Sequence, residues 1–96
     1  MRKGLKKHLG KRREYSAILH KFSKKYDKNW RLKDTAVITN VKNSQNYKVA
    51  DHLWIQKPNI LKRIEEGSFF QFSAIPTEYQ KKDGSVDYAL KNLILI

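Results

Sequence analysis

Four stretches of this chain alternate apolar and polar residues with the two-residue period of a β-strand, and one stretch among them reads as helix. Residues 35–41 (TAVITNV) are β-branched and alternating. Residues 47–55 (YKVADHLWI) set Val49, Asp51, Leu53 and Ile55 on one side and Ala50, His52 and Trp54 on the other. Residues 69–79 (FFQFSAIPTEY) oppose Phe70, Phe72 and Ala74 to Phe69, Gln71 and Ser73, so three phenylalanines cannot all face inward and Phe69 is expected outside. Pro76 marks a bend or a sheet edge. Residues 86–96 close the series, with Tyr88, Leu90 and Asn92 expected on one face. Between the strands, residues 58–66 (PNILKRIEE) predict a short helix: Asn59 can cap it, Ile60, Leu61 and Ile64 form a narrow stripe, and Gly67 stops it. The runs KNSQN (42–46) and KKDG (81–84) are turn signals, the second of the Asp-Gly hairpin kind.

Residues 15–26 (YSAILHKFSKKY) fit two readings. Tyr15, Ile18, Leu19, Phe22 and Tyr26 lie on one helical face, whereas Tyr15, Ala17 and Leu19 alternate as in a strand. The remainder of the chain favours the strand, because the order β-β-β-α-β-β is that of an OB-fold, a five-stranded Greek-key barrel, which needs a first strand here. The predicted class is therefore all-β with one short helix. Residues 14–96 form the OB-fold-like domain and residues 1–13 a flexible basic arm, with a short helix allowed by the spacing of Leu5 and Leu9.

Charge is divided as unevenly as pattern. Residues 1–33 carry thirteen Lys or Arg against Glu14 and Asp27, a sum of +11, while residues 34–96 carry eight against seven. A cation concentrated at one end points to a polyanionic partner. Nucleic acid leads, with single-stranded DNA favoured and RNA also compatible. An anionic membrane surface and an acidic protein are the other classes. The chain has no cysteine, which removes disulfides, thiolate metal sites and a Cys nucleophile. No apolar stretch follows the N-terminal cations as a secretory signal would require, and none approaches the roughly 20 residues of a membrane helix. A soluble cytoplasmic protein without membrane attachment is expected.

Residues 15–96 resemble small OB-fold-like proteins of phages and mobile elements. The likeness is carried by residues 34–41 (DTAVITNV), 49–55 (VADHLWI), 67–74 (GSFFQFSA) with Tyr79 and Lys81, and 87–92 (DYALKN). It implies the barrel and a wider kinship with single-strand-binding OB modules, and brings no activity with it. Residues 1–13 lie outside it.

OB-folds bind strands across β-strands 2 and 3, flanked by the loops joining strands 1–2 and 4–5. In that plan the first loop is Ser23 to Lys33, where Lys24, Lys25, Lys28, Arg31 and Lys33 interleave with Tyr26 and Trp30. The second is residues 81–84, with Lys81 and Lys82 preceded by Tyr79. Arg12, Arg13 and Lys21 complete the expected nucleic-acid-binding set. Lysines neutralise phosphates and release counterions, and aromatics stack on unpaired bases. Against this, Trp30 and Tyr26 can equally be lids over the barrel end, and the lysines a solvated face. Trp54, between Leu53 and Ile55, reads as core. His52 next to Asp51 does not make a site, since neighbouring strand residues point to opposite faces, and a hydrogen-bonded, half-buried histidine is expected. His8, His20 and His52 are scattered, and no paired carboxylates, Ser-His-Asp set or phosphate-binding glycine loop is present. Neither enzyme activity nor a cofactor nor a metal is expected. The alternative to nucleic-acid binding is an accessory factor whose arm docks an acidic protein, or association with RNA or the ribosome.

Overall fold

A computed structural model of the chain describes residues 2–26, 28–56 and 58–96; Met1, Asp27 and Lys57, and the side chains of Arg2 and Lys3, lie outside the described residues. Five strands form one open antiparallel sheet: β1 (Arg13–Tyr26), β2 (Leu32–Asn43), β3 (Lys48–Ile55), β4 (Phe69–Gln80) and β5 (Val86–Leu95), in the order β3-β2-β1-β4-β5. The two edge strands, β3 and β5, pack against one another without pairing. Two 3₁₀ helices, η1 (Arg2–His8) and η2 (Pro58–Arg63), complete the structure. The short helix expected over 58–66 is thus a tighter turn that ends at Arg63, with Leu61 and Pro58 buried and Gly67 at φ 90°.

Residues 15–26 are strand, and the helical spacing they also show has a physical source. Register slips between Leu19 and Lys21 in the pairing with β2, so one extra residue is accommodated in β1. Tyr15, Ala17 and Leu19 face the core before the slip, and Phe22 packs against the core after it. A parity switch inside a strand gives apolar spacings of three, which is what a helix also gives. The same device acts in β5. Register shifts between Ser73 and Ile75, Asn92 takes φ 54°, and both Leu90 and Leu93 are buried three positions apart. Asn92 is exposed and does not share the face of Leu90.

The core joins Leu19, Ile38, Leu53, Leu61 and Phe72, all essentially inaccessible, while Phe69 is 64% exposed on the opposite face of β4. Pro76 lies where β1 has already ended, since β1 pairs with β4 only as far as Arg13↔Ala74. Its carbonyl accepts the Gly10 N–H at 3.0 Å. The N and O of one strand residue point to the same side, so the missing N–H faces the segment before β1 and not β5.

Part of the expected arm belongs to the domain. Leu5 is 0% exposed and sits in the core, and η1 packs on β3, β4 and β5, bridging the two sheet edges at one end. Gly4 permits this approach: a Cβ there would stand 3.0 Å from Val49 Cγ1. Burying a leucine is worth about 1.5–3 kcal/mol, which anchors the basic segment to the sheet.

Candidate nucleic-acid interface

The segment expected as a long first loop is mostly ribbon. Ser23↔Thr35, Lys24↔Asp34, Lys25↔Lys33 and Tyr26↔Leu32 continue the β1–β2 ladder, which reduces the connection to residues 27–31. The pairing β1–β4 stops at Ile18 and β2–β3 at Ala36, so this end of the ribbon has no further strand beside it. Lys25 stands directly opposite Lys33, an arrangement that costs stability by like-charge repulsion. Trp30 takes φ 59°, a left-handed conformation that is unfavourable for a bulky side chain. Two local conflicts in one hairpin mark a segment shaped for something other than stability.

Trp30 is 82% and Tyr26 66% exposed, with ring centroids 6.2 Å apart and planes tilted by 53°. Neither ring covers the core as a lid would. They stand at the ribbon tip among Lys25, Lys28, Arg31 and Lys33, all exposed. Lys24 projects elsewhere: it lines a shallow hollow with Phe22, Asp34 and Lys62, on the other face of the ribbon from Lys25. Lys21 is opposite Val37, which is in turn opposite Trp54, so these three form a row across β1, β2 and β3.

Lys25 leads from the ribbon into a cleft. Its Nζ lies 3.6 Å from the centroid of the Trp54 ring, a cation–π contact. Trp54 is therefore not a core residue: it is half-buried and lines a cleft of about 820 Å³ between β3 and β5. Tyr79 lines the same cleft, so side chains near the end of β1 and the end of β4 both border it. Sequence reasoning missed Trp54 because its neighbours Leu53 and Ile55 are core; strict alternation, which puts Trp54 on the other face, is the signal that finds it.

The second hairpin differs. Its turn is built as expected: Gly84 has φ 87°, and Asp83 Oδ1 accepts the Ser85 N–H at 2.9 Å and the Ser85 hydroxyl at 2.6 Å, which lowers the Asp83 pKa. Lys81 Nζ, however, lies 3.3 Å from Asp87 Oδ2, to which the Tyr79 hydroxyl also donates, at 3.4 Å. The charge of Lys81 is thus compensated locally, while Lys82 is exposed in the turn. Acids elsewhere also sit beside a lysine: Lys48–Asp51 at 3.0 Å and Lys62–Asp34 at 3.7 Å.

Arg12 and Arg13 are held at the start of β1, away from the cleft lining. Arg12 donates to Ser73 Oγ at 2.9 Å, and Arg13 donates to His8 Nδ1 at 3.3 Å. His52 is exposed, not half-buried, and Asp51 beside it is engaged by Lys48. Among the described residues no group of three or more His, Cys, Asp or Glu could hold a metal ion, and no helix is long and apolar enough to cross a membrane. A second cleft of about 290 Å³, lined by Ser16, Asn40, Asn43 and Phe69, carries Lys42 together with Glu14 and has no tryptophan among its lining residues. No family model, curated protein or solved structure matches the chain.

Proposed function

We propose that this protein binds single-stranded nucleic acid, DNA in first place, along a track formed by the β1–β2 ribbon and the cleft beside Trp54. The sheet order supports reading the domain as an OB-fold-like Greek-key barrel, with the contact of β3 and β5 as its seam and η2 between the third and fourth strands. The observation that carries the function is the exposed Tyr26–Trp30 pair at the tip of the most cationic hairpin. Exposed rings among cations serve unpaired bases, whereas duplex recognition needs little stacking. Phosphate contacts by Lys25, Lys28, Arg31 and Lys33 carry no base information, so the track as a whole accepts most sequences. The resemblance to phage and mobile-element proteins directs this reading toward replication or recombination.

Titration of the chain with single-stranded and duplex oligonucleotides of equal length, followed by tryptophan emission, tests the proposal. The expected result is tighter binding of the single strand with a change in emission. Equal affinity for both forms with unchanged emission removes the stacking role. Competition between DNA and RNA strands of one sequence decides which is preferred. The cations of residues 1–13 have to be probed by substitution, because truncation also removes Leu5 from the core.

A further inference from the structure

The cleft between β3 and β5 has a chemistry that the ribbon lacks. Its floor is apolar, with Leu53, Ile55, Leu90 and Leu93 all buried. Its rim carries three primary amides, Gln56, Asn59 and Asn92, all exposed. Their side chains make no hydrogen bond within the protein among the described residues. Among the described residues no carboxylate lines the cleft, while Lys25 and Lys91 do. We propose that this cleft seats one unpaired base of the bound strand and selects among the bases through those amides.

The inference rests on the nucleic-acid reading above and adds base choice at one position to it. A flat aromatic ring with a polar edge matches an apolar floor beside Trp54 and a rim of amides. Each amide offers donors and an acceptor in fixed geometry, the pattern by which Asn and Gln read base edges. The volume of about 820 Å³ lies in the range of pockets that enclose small ligands. Lysines at the mouth, with no carboxylate beside them among the described residues, favour a nucleotide over a peptide, since the base brings its own phosphate. Lys25 covers the Trp54 ring at 3.6 Å in the free protein. An arriving base displaces the ammonium from the ring, and the ammonium then meets the phosphate of the same nucleotide.

The test uses the full chain and four labelled dT 12-mers, one unmodified and the others with a single central dA, dC or dG, read by fluorescence polarisation. The expected result is at least a fivefold spread in Kd among the four. Gln56→Ala combined with Asn59→Ala should compress that spread to within twofold without lowering the melting temperature. Four wild-type affinities within twofold of each other overturn base selection while leaving single-strand binding intact. A spread that survives the double substitution overturns the assignment to Gln56 and Asn59. Failure to bind any of the strands overturns this inference together with the function on which it rests.

Discussion

The β1–β2 and β4–β5 hairpins have similar compositions, lysines next to aromatics, and end in different states. In the first, Tyr26 and Trp30 are exposed, like charges face each other at Lys25 and Lys33, and a tryptophan adopts a left-handed backbone. In the second, Asp87 takes both Lys81 and the Tyr79 hydroxyl, and Asp83 organises the turn through Ser85. One hairpin turns its aromatic rings outward, and the other ties Tyr79 and Lys81 to Asp87. The two hairpins therefore differ in how they present their aromatic rings, and in the second one a carboxylate, Asp87, stands against both the lysine and the tyrosine.

The largest expected effect separates the two hairpins by charge. Replacing Lys25, Lys28, Arg31 and Lys33 by Gln should lower single-strand affinity by more than 100-fold at low salt. Four lost phosphate contacts reduce the log–log salt slope by about 2.8, at roughly 0.7 per contact. Lys81→Gln with Lys82→Gln should change Kd by less than threefold. If the second pair proves as costly as the first four, the contrast fails.

Leu5→Ala tests whether the basic N-terminal segment is truly part of the domain. It should destabilise the fold by about 2–5 kcal/mol, read by denaturant unfolding, as for a leucine buried in a core. A change below about 0.5 kcal/mol would return residues 1–13 to the status of a tail.

Trp30→Asn sharpens the same comparison inside the ribbon. Asparagine tolerates φ 59°, so the melting temperature should hold or rise while single-strand affinity falls by about 1–3 kcal/mol. Loss of stability together with affinity would mean that Trp30 is a structural residue.

The smallest effect concerns the core end of β1. Tyr15 is buried with its hydroxyl unpartnered, and burial raises its pKa from 10.0 to about 12, with Arg13 opposing. An acid with a raised folded pKa contributes its full stability below pH 10 and loses it as pH rises toward 12. Tyr15→Phe should therefore stabilise the protein by about 1 kcal/mol at neutral pH and remove that alkaline loss, measured by unfolding at several pH values.

Much of the fold was legible in the sequence because the period-two segments, the Asp-Gly turn and Gly67 are local signals. The strand assignment of residues 15–26 needed the rest of the chain, since the slip near His20 imitates a helix. The burial of Leu5 was not legible: a lone leucine among lysines gives no pattern, and only the docking of η1 on β3, β4 and β5 explains it. In the candidate site, the clustering of aromatics with cations in the ribbon was legible in composition. The extension of the ladder to Tyr26 was hidden because polar residues without an apolar face read as loop. Trp54 was hidden between two core residues, and the capture of Lys81 by Asp87 depends on strand pairing that brings distant residues together.

The most direct test of the account is backbone amide chemical-shift mapping of the whole chain with a dT 12-mer. The largest shifts are predicted over residues 24–33, at 53–56 and at Asn59, with residues 81–85 close to unmoved. Shifts concentrated at residues 81–85 and 2–13, with the ribbon and the Trp54 cleft silent, would contradict it.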